Sequence, residues 1–290
     1  MIIRIGGFFS GIGAHHSAIE RIGAARKDIE FKVVFQCEWD PKTALAYDVM
    51  HGPTLNLGDV AMVNDISGEL AVDILYWTPP CQDISLAGKM DGNAEGSETR
   101  SSLAFEVPRI LANTPPEDRP KYLVFEEVPT MISKRFHSNF KAILRRLEAL
   151  GYRHTYGIMN AADYGVAQSR KRCFMISKLG ATPPNLPRPI PLKKCLRDYL
   201  EPEPVAEKYY LSEERAKNLI WCNQREEAAL WRFRFQEADI KKDTEQIQNI
   251  DRIGRIPGFY CNKYRVYSTD GISPSITAHL SKDNEFMIRG

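Results

Sequence analysis

The chain has 290 residues, 43% of them hydrophobic and 26% charged, an ordinary globular composition that suits one large domain and a smaller one. Its formal net charge of +2 excludes an overall electrostatic attraction to nucleic acid, so any basic surface must be local. No apolar run approaches the ~20 residues of a membrane helix, and Met1–Gly7 lacks the basic and apolar regions of a signal peptide.

The elements follow in chain order. Ile2–Phe9 reads as a strand, Gly13–Ile22 as a helix opening from a glycine-bearing turn, and Phe31–Cys37 as the next strand. Pro41–Met50 is a helix with proline in its first turn. Asp73–Trp77 is a strand, Ser101–Asn113 a helix, Tyr122–Phe125 a strand and Phe136–Leu150 an amphipathic helix, with strands at Arg153–Met159 and Arg172–Ser177. Strands alternating with helices predict a doubly wound α/β sheet, whose ligands gather at the carboxyl ends of its strands. Five prolines between Thr182 and Pro191 mark a stiff linker. The expected division is therefore a catalytic and cofactor-binding domain over 1–180, a linker over 181–191 and a smaller region over 192–290, with one helix at Ser212–Trp221.

The six cysteines are scattered, with no CxxC pair and no nearby His. That pattern argues against a disulfide framework and a zinc site, so a reduced, cytoplasmic protein without membrane or metal is expected.

Phe9-Ser10-Gly11-Ile12-Gly13 joins the first strand to the first helix, where glycines admit close approach of a ligand and the helix start offers free N–H groups. The second strand ends in Glu38, suited to two ribose hydroxyls, beside Trp39, suited to stacking on a base. Asp59, followed by Val60, supplies a second acid for an adenine amino group. Position 16 is His rather than Gly, so no pyrophosphate fingerprint is present, and a nucleoside without pyrophosphate fits better than NAD. A tight turn flanked by two surface acids would read the same way.

Thr78-Pro79-Pro80-Cys81-Gln82 follows the third strand. Two prolines cannot continue a ladder, so the chain turns and presents Cys81 at the sheet's edge. The glycine-bearing stretch from Ala87 to Ser97 has the length of a closing lid. Glu126 and Glu127 end another strand, and alternation lets only one of them face a pocket. Arg170 and Arg172 stand at period two around the last strand, where paired guanidiniums suit an anionic or carbonyl-bearing ligand, or equally a solvated edge.

This ordered set resembles the DNA cytosine-5 methyltransferase family. The resemblance runs from about Gly6 to Ser177 and resumes at Arg265–Ala278, and Pro80-Cys81-Gln82 with Gln168-x-Arg170-x-Arg172 carries most of it. It implies an S-adenosylmethionine-dependent, Rossmann-like sheet with a target-recognition region over 192–290, acting on double-stranded DNA within a restriction-modification or phage modification system. Cys81 matches the nucleophile that adds to cytosine C6. Glu126 matches the glutamate that holds N3 and the amino group, and Arg172 the arginine at O2. Arg170 matches a support for the nucleophile loop and phosphate. Phe9, Ser10, Gly11, Gly13, Glu38, Trp39, Asp59, Val60 and Pro79 fall where the cofactor is held.

Three departures from the family pattern stand out. Gly7 occupies a position usually held by Asp, and Glu127 one usually held by Asn. The chain also stops at Gly290, before the family's arginine-rich and C-terminal helices. That end implies a truncated member, the larger part of a longer chain, or a split enzyme needing a second polypeptide. A tRNA cytosine methyltransferase would carry a Cys-Phe-Thr element, which is missing from this sequence; a catalytically silent cofactor- or DNA-binding partner is the remaining alternative.

Overall fold

The computed structural model describes residues 1–80 and 100–202, together with the strand backbone of 220–221, 252–255, 265–268, 273–274 and 287–289. Two compact units result, one of Met1–Met159 with Lys171–Pro187, the other of Asn160–Arg170 with Arg188–Gly290.

The first unit begins with β1 (Ile2–Phe8), α1 (Ala14–Ala25), β2 (Glu30–Cys37), α2 (Pro41–His51) and β3 (Ile74–Trp77). Asp40 caps α2 by accepting the Thr43 N–H at 3.1 Å, with Pro41 in the first turn where no N–H is missed. The single helix expected over Ser101–Asn113 is instead a 3-10 segment, Arg100–Phe105, followed by α3 (Glu106–Asn113). Pro108 explains the break. A continuous α-helix would set its ring against the carbonyl of residue 104, whereas a start at Glu106 leaves it harmlessly in the first turn.

Then come β4 (Tyr122–Glu127), α4 (His137–Ala149), β5 (Tyr152–Asn160), β6 (Gln168–Ser169) and β7 (Lys171–Leu179). The six-stranded sheet has the order β2-β1-β3-β4-β7-β5. Strands β2, β1, β3 and β4 are mutually parallel, and β7 runs antiparallel to β4. The chain leaves β1 to one side for β2 and to the other for β3, so the switch point lies at the carboxyl end of β1. Cys37, Phe8, Trp77 and Phe125 form one row across that end. Each candidate segment of these strands starts just beyond that row.

Beneath the row lies a continuous core that includes Phe8, Phe35, Trp77, Phe125 and Phe140. The Trp77 and Phe125 rings meet at 4.5 Å. Burying each such side chain contributes roughly 1.5–3 kcal/mol before entropy is charged against it, which makes this end of the sheet a rigid platform.

In the second unit, β6 pairs in parallel with Ser273–Pro274, and Ala162, Ala167 and Leu192 form a small buried cluster. The helix expected at Ser212–Trp221 is corrected at its end. Ile220–Trp221 is a strand, antiparallel to Arg252–Arg255, because pairing of two β-prone residues overrides local pattern; 212–219 lie outside the described residues. No helix among the described residues is long and apolar enough to cross a membrane.

Candidate active site

The turn after β1 is built from backbone that few residues tolerate. Gly11 and Gly13 have φ of 55° and 83°, and Phe9, which is not glycine, has φ of 58°. A bulky residue held there stores strain, and such strain gathers at functional sites. The neighbouring strand holds it in place, since Thr78 donates its hydroxyl to the Phe9 carbonyl at 2.9 Å. Ser10 is buried; its hydroxyl donates to the Gly7 carbonyl at 2.9 Å and accepts the Cys37 N–H at 3.1 Å, tying the turn to the end of β2.

Beyond β2, the Glu38 carboxylate accepts the Gly11 N–H on one oxygen and the Asp40 N–H on the other, both at 3.0 Å. The carboxylate is oriented by these bonds, and each oxygen keeps a lone pair suited to a hydroxyl donor. Asn56, which the sequence reading passed over, bridges Glu38 in both directions. It accepts the Glu38 N–H and donates to the Glu38 carbonyl, each at 3.0 Å. Its side chain also accepts the Gly58 N–H at 2.9 Å, which carries Asp59 to the same edge. The Asn-x-Gly-Asp turn was the available signal. Asp59 is exposed and accepts the Ala61 N–H at 3.0 Å; Val60 is buried beneath it. Trp39 is 72% exposed, an indole face left open. A left-handed glycine turn, two oriented acids and an open aromatic ring fit an adenosine.

The catalytic candidates occupy the next strands. β3 runs in register with β4, Trp77 opposite Phe125, so Thr78-Pro79-Pro80 leaves the sheet beside Glu126. Pro79 is buried and Pro80 partly so; Cys81 itself lies outside the described residues, as does the stretch expected to form a lid. Glu126 pairs opposite Phe174, and Arg172, two residues back on the same face, brings Nε within 3.0 Å of the Glu126 carboxylate. Arg172 also donates from Nη1 to the Lys171 carbonyl at 2.8 Å. Both side chains remain partly accessible, so the pair can meet a ligand. Arg172 starts its strand instead of ending it. The antiparallel sense of β7 returns it to the edge where the parallel strands end.

Arg170 belongs to the second unit. Its N–H donates to the Asn160 side chain at 2.9 Å and its carbonyl accepts the Ala161 N–H at 3.0 Å.

Glu127 takes the opposite face from its neighbour and is 2% exposed. Burial drives its carboxyl pKa well above the carboxylate range, with the Glu126 charge adding to the shift. One of its oxygens, Oε1, has no hydrogen-bond partner. The shift favours the neutral form of Glu127, in which the carboxyl can donate one hydrogen bond as an amide does.

At Gly7 a Cβ would stand 2.6 Å from His15 Nε2 and 3.1 Å from Ser10 Oγ. His15 stacks on Tyr76 at 5.4 Å, and burial, with two neighbouring histidines adding to it, pulls its pKa down to about 4. A neutral imidazole thus fills the space beside Gly7.

Comparison with known proteins gives a consistent set of matches. The sequence profile of a family described as C-5 cytosine-specific DNA methylase matches residues 3–278. The chain is 36% identical over 148 residues to the orphan methyltransferase M.SssI of Spiroplasma monobiae, an alignment covering 49% of this chain and 38% of that protein. It is 34% identical over 202 residues to the type II methyltransferase M2.ScrFI of Lactococcus lactis subsp. cremoris, covering 66% and 53% respectively. Against the type II methyltransferase M.HhaI of Haemophilus parahaemolyticus it is 26% identical over 289 residues, covering 97% and 77%. For the first two, then, the chain spans about half the relative's length or less. Among solved structures, the Entamoeba histolytica methyltransferase EhMeth superposes with a TM-score of 0.61 at 20% identity, covering 74% of this chain and 64% of that one. The S. pombe Dnmt2 methyltransferase gives 0.56 at 19%, covering 75% and 65%. Both likenesses bear on the fold.

Proposed function

The chain belongs to the C-5 cytosine-specific DNA methylase family, and from that membership we propose that it methylates C5 of cytosine in double-stranded DNA, as part of a restriction-modification or phage modification system. The observation that carries the reading is the Glu126–Arg172 pair, 3.0 Å apart, with Glu126 on the strand beside the one that leads through Pro79-Pro80 to Cys81.

Cytosine is a weak carbon nucleophile, so C5 must be made electron-rich before it can accept a methyl group. In this proposal the base leaves the duplex to reach the pocket. Cys81, as thiolate, adds to C6, while Glu126 holds the amino group and protonates N3 as charge builds. Arg172 takes the O2 carbonyl and keeps Glu126 oriented. S-adenosylmethionine, when bound, supplies the methyl group that C5 takes up. A water molecule then takes the C5 proton, Cys81 leaves as thiolate and the N3 proton returns to Glu126, which restores the C5–C6 double bond. Glu38 holds the ribose hydroxyls, Asp59 the adenine amino group, and Phe9, Ser10, Gly11 and Gly13 line the turn against the methionine portion. Glu127, neutral when buried, replaces an amide donor without adding charge, which favours an active enzyme over a silent partner. Arg170 and 192–290 serve phosphate and base-edge contacts.

Incubating the chain with tritiated S-adenosylmethionine and either DNA or RNA tests the substrate class; label in RNA alone would overturn it. DNA carrying 5-fluorocytosine tests the chemistry, because fluorine blocks the final proton loss. A denaturation-resistant adduct is expected with the parent chain and none with Cys81→Ser. An adduct that survives that substitution removes Cys81 from the role.

A further inference from the structure

We propose that His16, Glu20 and His51 form a divalent metal site of the zinc type, separate from the cytosine chemistry, which clamps α1 to the end of α2 behind the glycine turn. His16 and Glu20 lie one helical turn apart on α1, with His16 Nε2 3.8 Å from Glu20 Oε1. His51, the last residue of α2, brings Nδ1 to 3.3 Å from the same oxygen. One ligand atom from each residue lies within 4.8 Å of the other two. A tetrahedral ion with ~2.0–2.2 Å bonds holds its ligands about 3.3–3.5 Å apart. The His51–Glu20 spacing therefore fits as it stands, the His16–Glu20 spacing closes by a few tenths of an ångström, and the two imidazole nitrogens, within 4.8 Å, must also meet that separation.

Hydrogen bonding selects the tautomer. His51 Nε2 lies 3.1 Å from the Ile12 carbonyl, which can only accept. That nitrogen therefore carries a proton, and Nδ1 is the ring atom left to face the Glu20 carboxylate at 3.3 Å. A cation, either a proton or a metal ion, fits between Nδ1 and that oxygen. His16 has Nδ1 2.9 Å from the Tyr47 hydroxyl, which can donate or accept, and Nε2 3.8 Å from Glu20 Oε1. An imidazole whose outer nitrogen is held by an oxygen while the other faces a shared centre is the usual outer shell of a metal ligand. Among the described residues no Lys or Arg forms an ion pair with Glu20.

Burial suits the same role. The His51 and His16 side chains are 2% and 14% exposed, while Glu20 is 50% exposed, so the two imidazoles are sheltered and Glu20 is the entry side, where water would complete the shell. The imidazoles stack at 4.4 Å with planes 16° apart; binding requires His16, the more accessible ring, to turn about χ2 so that the lone pairs converge. Two nitrogens and one oxygen favour Zn²⁺ or Co²⁺ over Mg²⁺ and Ca²⁺, which prefer oxygen shells. An occupied site would brace the turn directly, since a Cβ on Gly13 would lie 2.6 Å from the His51 ring.

The test uses the full chain after dialysis against chelator, titrated with Co²⁺ and then Zn²⁺. One equivalent of Co²⁺ should give visible d–d bands without thiolate charge transfer; Zn²⁺ should displace it and raise Tm. Losing an outer-shell partner alone costs ~10–100-fold in metal affinity, so His16→Gln and Glu20→Gln should each weaken binding at least that much, and His137→Gln should leave it unchanged. Glu20 is exposed, so its variant tests the site without threatening the fold. Absence of saturable Co²⁺ binding, binding through cysteine thiolates, or equal affinity in the Glu20→Gln variant would overturn the proposal and leave a proton as the cation between His51 and Glu20.

Discussion

Glu126 and Glu127 are adjacent carboxylic acids that the pleat separates into two chemistries. Glu126 pairs with Arg172 at 3.0 Å, whereas burial raises the carboxyl pKa of Glu127 and favours its neutral form. The sign of the resulting pH dependence follows from linkage. The unfolded chain releases the Glu127 proton near its ordinary value of 4.5, the folded chain only at a raised value. The stabilisation tied to that proton is complete below pH 4.5 and is lost progressively as pH rises toward the folded value. Glu127→Gln, neutral at every pH and nearly isosteric, should therefore have a higher Tm than the parent near pH 8, with the gap closing near pH 5. A gap independent of pH would show that Glu127 is ionised in the folded state. Glu38 is the second test at this scale. It is oriented by two N–H donors and is proposed to take ribose hydroxyls through charge-assisted bonds worth about 1.5–3 kcal/mol. Calorimetry on Glu38→Ala should show affinity for S-adenosylmethionine reduced by roughly tenfold to a hundredfold; unchanged affinity in a folded variant would refute the role.

Among elements, the junction of β1 with α1 shows how one replacement depends on another. An acid at position 7 would need the space that His15 Nε2 occupies, 2.6 Å from a Cβ there. Glycine on the strand and histidine in the first turn of the helix are therefore one packing solution. Gly7→Ala should cost on the order of 1–3 kcal/mol in urea unfolding by overpacking, and most of that cost should vanish in a His15→Ala background. Strict additivity across the double-mutant cycle would mean that the two residues do not share the space. The shortened α3 follows from the same kind of local steric limit, because Pro108 decides where an α-helix can begin.

For the whole molecule, the distribution of buried side chains separates the two units. Every residue of the main core falls within 1–159 or 171–187, while the second unit's described cluster is limited to Ala162, Ala167 and Leu192. The large sheet has its own core, and all the proposed cofactor contacts belong to it. A fragment of residues 1–187 should accordingly unfold in one cooperative transition by circular dichroism and still bind S-adenosylmethionine. Its affinity for duplex DNA should fall sharply if 192–290 carries target recognition. Retained DNA affinity in the fragment would move recognition into the sheet unit.

Local chemistry made much of this legible in the sequence alone. Strand and helix periods, the proline start of α2, the glycine turn after β1 and the Pro-Pro exit from β3 all depend on residues a few positions apart, and the ordered motifs were enough to suggest the family. The tertiary structure decided what depends on distant partners. It set β1 between β2 and β3, which creates the switch point. It reversed β7, which returns Arg172 to Glu126 from 46 positions along the chain. It buried Glu127 and not Glu126, placed Asn56 across Glu38, and gathered His16, Glu20 and His51 from two helices. None of these is encoded in a local period: each is fixed by which strands pair and which faces pack, and those pairings are selected by the free energy of the assembled core.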